Sequence, residues 1–183
     1  MQTLEQGQTR LVAMTALAVH SDEDKPQYLT FMLDDGMFGI NILSIREIIE
    51  YGSVTQVPLS PPYIRGVLNL RGAVVPVLDL KVRFGRQAGE DTRRTCIVIV
   101  EIDTEKGRQQ LGMTVDSVNE VLDIPTCDIK DVPEFGARIR GDFIEGMGRI
   151  GDEFVVLINP DRVLSLDEIS VLANLGKAQN STA

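Results

Sequence analysis

Apolar residues along this chain fall in short runs separated by turn residues, and most runs alternate or are β-branched, which is the pattern of strands. Tyr28-Leu29-Thr30-Phe31-Met32-Leu33 reads as a strand, Asp34-Asp35-Gly36 as a hairpin turn, and Met37 to Ile42 as the returning strand. Ile42, Ile45, Ile48 and Ile49 follow with helical spacing over a short span. A single turn leading into another strand fits them equally well, and periodicity leaves both open. The most ordered stretch is Ile64 to Leu80. Val67, Asn69 and Arg71 alternate with Leu68 and Leu70, Arg71-Gly72 marks a tight reversal, and Ala73 to Leu78 is apolar enough to be buried on both faces. Pro76 cannot donate to a ladder, so this strand is expected at a sheet edge or with a bulge. Arg86 to Arg94 is polar and reads as a surface connection.

The second half repeats the first. Phe38-Gly39-Ile40 through Glu47-Ile48 aligns with Leu111-Gly112-Met113 through Glu120-Val121 at one constant offset. Val57-Pro58 aligns with Val132-Pro133, Ile64-Arg65-Gly66 with Ile139-Arg140-Gly141, and Val77-Leu78-Asp79 with Leu157-Ile158-Asn159. The growing offset places extra residues in a longer second hairpin. Two modules of about 65 residues are too small for large separate cores, so they are expected to bury apolar surface against each other. Several short strands per module fit a small barrel or a sandwich.

The ends differ from this body. Residues 1–26 hold an apolar stretch, Leu11 to Val19, without the basic start of a secretory signal, and are expected to form a flexible extension. Ser165-Leu166-Asp167-Glu168 has the form of a capping box. A short helix is expected over 165–176, closed by Gly176, with a disordered tail over 177–183.

Composition narrows the function. A formal charge of −9 over 183 residues disfavours binding to a nucleic-acid backbone. No apolar run approaches the roughly 20 residues of a membrane helix. Cys96 and Cys127 are read as free thiols of a reducing compartment. His20 is the only histidine and lies in the N-terminal extension, a poor start for a catalytic triad or a zinc site. Gly146-Met147-Gly148-Arg149-Ile150-Gly151 matches a phosphate-binding pattern, but a strand-like segment follows where a helix is required, so a β-hairpin is the better reading. Asp34-Asp35, Asp79 and Asp103-Thr104-Glu105 sit at expected turns or strand ends, where solvated carboxylates are ordinary. No catalytic residues, cofactor or metal are expected, and the chain is read as a non-enzyme.

The run Ile64-Arg65-Gly66-Val67-Leu68-Asn69-Leu70-Arg71-Gly72-Ala73-Val74-Val75-Pro76-Val77-Leu78-Asp79-Leu80, together with Phe38-Gly39-Ile40 through Ile45-Arg46-Glu47-Ile48, resembles the CheW family of bacterial chemotaxis coupling proteins. The likeness extends over 27–164. It implies a mainly β fold of two five-stranded SH3-like barrels packed side by side, the first over about 27–90 and the second over about 95–164. It implies an adaptor between the cytoplasmic tip of chemoreceptors and the regulatory domain of a CheA-type histidine kinase, cytoplasmic and tied to membranes only through receptor arrays. A coupling protein of a non-chemotactic pathway, such as surface motility or development, and a small-barrel binding module of another kind are the alternatives. Carried over by position, Ile45 and Gly66 are expected at the receptor contact, and Tyr51 and Val54 toward the kinase. Glu47 and Arg71 match an ion pair of the first barrel, with an ordinary surface pair as the plainer alternative. Glu120 repeats Glu47, while the place of Arg71 falls near Glu145-Gly146, so the pair is not expected twice.

Overall fold

A computed structural model describes residues 25–132, 143–165 and 168. Residues 1–24 of the expected extension, most of the helix expected over 165–176 and the tail lie outside the described residues. The first half supplies β1 (Gln27–Leu33), β2 (Gly36–Asn41), β3 (Ile45–Glu50), β4 (Ile64–Leu70), β5 (Ala73–Asp79) and a one-turn helix α1 (Leu80–Arg83). The second supplies β6 (Cys96–Thr104), β7 (Gly107–Val115), β8 (Ser117–Asp123), β9 (Ile129–Lys130), β10 (Ile144–Ile150) and β11 (Glu153–Ile158). The isoleucines after β2 resolve into a 3-10 turn, Ile42–Ser44, and then a strand. Asn41 caps the turn by accepting the Leu43 N–H at 2.9 Å, and β-branched Ile45, Ile48 and Ile49 favour the extended form that follows.

The fold is mainly β, with its strands in two sheets. Their order is β8-β1-β2-β11-β10-β9 in one and β3-β6-β7-β5-β4 in the other. The sheets therefore do not follow the two halves of the chain. Hairpin β1–β2 completes the sheet of the second half, and hairpin β6–β7 completes the sheet of the first. The exchange is reciprocal down to register: Gly39 pairs with Leu157, and Gly112 pairs with Val77, both in parallel.

Each sheet curls onto itself. In the five-stranded sheet, Ile49 and Tyr51 from the β3 edge join Leu68 and Leu70 from the β4 edge in one cluster with Val75, Val77, Ile97 and Ile99. Tyr28, Ile124, Val155 and Leu157 fill the other sheet, with Leu122 and Ile129 against them. The opposite faces of the central strands meet between the sheets, where Phe31, Phe38, Leu78, Val98, Val100, Met113 and Ile158 form the largest core. Strands such as β6 are thus buried on both faces, which is why their sequence hardly alternates. A row of rings, Phe31, Phe38 and Phe84 stacked and Phe143 tilted against Phe84, with centroids 5.9–6.1 Å apart, runs through that core.

Charged side chains fasten the halves at the rim. Lys81, buried at α1, binds Asp116 at 2.9 Å, in the link between β7 and β8, and Asp34 at 3.5 Å, in the β1–β2 turn. Burial alone would lower its pKa, but those two carboxylates raise it, so the ammonium stays charged. Arg83 donates to the Val163 carbonyl and to Glu168, each at 2.8 Å, over the rings of Tyr63 and Phe143. Ser165 and Glu168 exchange the two capping-box hydrogen bonds, at 2.9 and 3.2 Å.

Three expectations need correction. Pro76 lies on β5, which is an interior strand between β7 and β4 rather than an edge. It is tolerated because Val67, its partner on β4, directs its N–H and carbonyl away to Thr55 (2.8 and 2.9 Å), which makes Val67–Pro76 a non-hydrogen-bonded pair. The side where the proline N–H is missing faces β7, and the β7 ladder begins only at Val77. Second, Gly146, not Gly141, is the counterpart of Gly66. Gly66 opposes Val77 and Gly146 opposes Leu157, each at a bulge. The inserted residues therefore precede β10, and the two hairpins are equal. Third, Asp79 is not a solvated carboxylate but is buried at the base of the β4–β5 hairpin.

Candidate interaction site

The two edge strands of the five-stranded sheet, β3 and β4, face each other across its seam. At one end Arg71, at the tip of the β4–β5 hairpin, places Nη2 3.2 Å from Glu47 Oε2. Arg71 is 80 % exposed and Glu47 23 %, so solvent screens the pair and it contributes at most about 1 kcal/mol to stability. Arg71 has φ of +52°, and its true counterpart in the second hairpin is Gly151, with φ of +60°. The turn geometry is the same in both halves, but only the first carries a side chain there, against the steric preference for glycine. Ile45 lies at this same end. It is half-buried against the main core and borders an open cleft of about 250 Å³ with Leu43, Arg46, Glu101, Arg108 and Asp161. Leu43 is one of three large apolar side chains left exposed among the described residues, with Leu59 and Phe154.

At the other end of the seam Tyr51 and Val54 line a second cleft of about 410 Å³, together with Val57, Pro62, Arg65 and Asp91. The loop between β3 and β4 is pinned at Thr55 by two backbone hydrogen bonds to Val67. It presents Leu59 with no burial at all, at φ of +63°. Arg65 organises this cleft, and the sequence reading passed over it. Its Nε donates to Asp79 at 3.0 Å, its Nη1 donates to both oxygens of Asp91 at 2.7 and 2.9 Å, and its guanidinium lies 4.9 Å from the Tyr51 ring centroid. Burial works against its charge, but the neighbouring Tyr51 and the hydrogen-bonded Asp79 carboxylate outweigh it and raise its pKa. Asp79 in turn caps α1 by accepting the Val82 N–H at 3.2 Å. The signal in sequence was an Arg and an Asp set just inside and at the end of one hairpin, which pairing register brings side by side.

Gly66 falls with the second group, not with Ile45. It is buried at a bulge with φ of +148°, and a Cβ on it would overlap the Thr55 carbonyl oxygen. Gly146 has the same place in the other half, where a Cβ would crowd Ile129 and the Lys130 carbonyl at 2.8 and 3.1 Å. Close backbone packing thus requires glycine at Gly66, while at Gly146 a side-chain methyl and a looser carbonyl leave little room for a Cβ. The phosphate-like glycine pattern has the same explanation: Gly146 serves the bulge, Gly148 lies under Ile124, and Gly151 makes the turn.

Among the described residues no cluster of His, Cys, Asp and Glu is arranged to hold a metal ion, and Cys96 and Cys127 are free thiols. No helix among them is long and apolar enough to cross a membrane. A duplicated β protein whose two sheets exchange hairpins, with two clefts at opposite ends of one strand seam, has the form of an interaction module. Residues 27–168 match the CheW-like domain model, and the chain belongs to the CheW-like family. It is 32% identical over 152 residues to the chemotaxis protein CheW of Klebsiella aerogenes, covering 83% of this chain and 89% of that one. It is 35% identical over 137 residues to the chemotaxis protein CheW of Bacillus subtilis, covering 74% and 85%. The crystal structure of the scaffolding protein TtCheW from Thermoanaerobacter tengcongensis superposes with a TM-score of 0.71 at 30% identity, over 79% of this chain and 95% of that chain.

Proposed function

We propose that this chain is a non-enzymatic coupling adaptor that joins the cytoplasmic tips of transmembrane chemoreceptors to the regulatory domain of a CheA-type histidine kinase. The observation that carries this reading is the placement of the two residue groups on one seam. Ile45 opens β3 and Tyr51 directly follows it, six residues apart along an extended chain, which is about 20 Å. Two partners can therefore be held at once without overlapping. Ile45, Glu47 and Arg71 form the receptor side, with Leu43 as an exposed apolar neighbour. Tyr51 and Val54, with their cleft, form the kinase side. Gly66 contributes by allowing Thr55 to approach, not by touching a partner. The protein works in the cytoplasm and reaches the membrane only through the receptors it binds.

The test is reconstitution. Kinase autophosphorylation is measured with receptor cytoplasmic fragments, with and without this chain. Stimulation that depends on the chain is expected. Equal stimulation in its absence overturns the proposal.

A further inference from the structure

Among the described residues the Arg65 cluster has no counterpart in the second half. Gly146 matches Gly66 in register, so the position of Arg65 is taken there by Glu145, which is exposed, and Asp79 is replaced by Asn159. The capping task of Asp79 survives the change, since Asn159 accepts the Asp161 N–H at 3.0 Å. What is lost is the three-way link. A barrel of this kind therefore closes without it, and the link has another use in the first half.

Its contacts indicate which use. Arg65 connects three separate segments: Tyr51 after β3, Asp79 at the end of β5, and Asp91 in the connection between α1 and β6. The Tyr51 backbone is held by its own bond to the Thr95 carbonyl at 3.2 Å, and Thr55 is held to Val67. Between these two anchors Gly52 and Ser53 are exposed, and Ser53 has φ of +55°. Backbone anchoring fixes the Tyr51 main chain, while its ring packs on one side against the Leu68, Val75 and Val77 cluster and on the other meets Arg65. A planar guanidinium, fixed at Nε by the buried Asp79 carboxylate and at Nη1 by both oxygens of Asp91, supplies a surface on which the ring rests.

We propose that Arg65 is a positioning residue for the kinase side: it fixes the Tyr51 ring and the wall of the adjoining cleft, and so acts on kinase affinity through Tyr51. This rests on the proposed assignment of Tyr51 to the kinase contact. Lysine in its place keeps the charge but is a single point donor. It cannot present separate nitrogens to Asp79 and Asp91 and a flat face to the ring at the same time.

The experiment compares Arg65→Lys, Tyr51→Ala and the double variant in the full chain. Affinity for the purified kinase regulatory domain and for a receptor cytoplasmic fragment is measured by calorimetry, beside thermal unfolding. Arg65→Lys is expected to weaken kinase binding about tenfold, as loss of a desolvated cation–π contact would, and to leave receptor binding unchanged. In the Tyr51→Ala background it is expected to add nothing further. Asp91→Asn, at the exposed side of the cluster, is the second variant should Arg65→Lys fold poorly; a smaller loss on the kinase side alone is expected. Kinase affinity that falls with Tyr51→Ala but not with either cluster variant overturns the positioning role alone. Additive losses, or equal losses for both partners, overturn it as well. Full kinase affinity in Tyr51→Ala removes the kinase-side assignment, and the positioning role with it.

Discussion

Arg71 and Glu47 join the tip of the β4–β5 hairpin to β3, the strand at the far edge of the same sheet, through a 3.2 Å ion pair. The pair spans the seam at which that sheet closes. Arg71 does so from a left-handed backbone conformation that the second half fills with Gly151. The conformational cost at Arg71 is therefore borne in the native chain, and the exposed pair returns little stability for it.

Arg71→Gly is accordingly expected to raise stability by about 0.5–1 kcal/mol, the relief of a non-glycine residue from positive φ less the small pair energy. The same variant is expected to weaken receptor binding. Chemical denaturation and receptor-fragment binding measured together check both signs. A variant that is less stable, or one that binds receptor normally, would show that Arg71 is kept for the fold.

Glu47→Ala and Arg71→Ala are expected to couple by no more than about 1 kcal/mol in stability, since Arg71 is so exposed. Coupling in receptor affinity is expected to be larger, because docking would strip the solvent that screens the pair. A double-mutant cycle run on both quantities distinguishes the two effects.

Gly66→Ala is expected to destabilise the fold by about 3 kcal/mol or more, because positive φ and overlap with the Thr55 carbonyl act together. Gly146→Ala meets a side-chain methyl and a looser carbonyl contact, so a smaller loss is expected. Equilibrium unfolding of the two variants gives the order. Loss of binding in any Gly66 variant is to be read only beside its stability.

The reciprocal hairpin exchange makes each half incomplete. A fragment spanning residues 25–94 is expected to show no cooperative unfolding transition, since β3, β4 and β5 would lack β6 and β7 between them. Mixing it with the complementary fragment is expected to restore β structure. Circular dichroism of each fragment and of the mixture is the check; a cooperative first fragment alone would contradict the exchange.

Acid should loosen the C-terminal attachment. Burial tends to raise the Glu168 pKa, but hydrogen bonds from Ser165 and Tyr63 and the charge of Arg83 outweigh it and hold the value below the ordinary carboxylate. Its contribution is therefore full above the unfolded value of about 4.3 and is lost as pH falls through the lower folded value. Glu168→Gln is expected to flatten that part of the stability–pH profile in denaturation measured across acid pH.

Much of this architecture was legible from local pattern. Strand period, turn residues and the capping box report the chain's own nearest neighbours, so β1, β2, β4 and β5, the hairpin at Arg71-Gly72 and the Ser165–Glu168 bonds follow from residues close in sequence. The internal repeat was visible for the same reason, because matched apolar positions survive duplication. Which residues face each other across a seam is set instead by sheet order and register, and these depend on contacts between segments far apart. Only the tertiary structure could therefore show that the hairpins are exchanged, that Pro76 lies inside a sheet beside an unladdered stretch, and that Gly146 rather than Gly141 repeats Gly66. It likewise decided that Asp79 is buried against Arg65 and that Gly66 lies beneath Thr55 beside the Tyr51 cleft, since burial and charge pairing are properties of the folded chain and leave no period in the sequence.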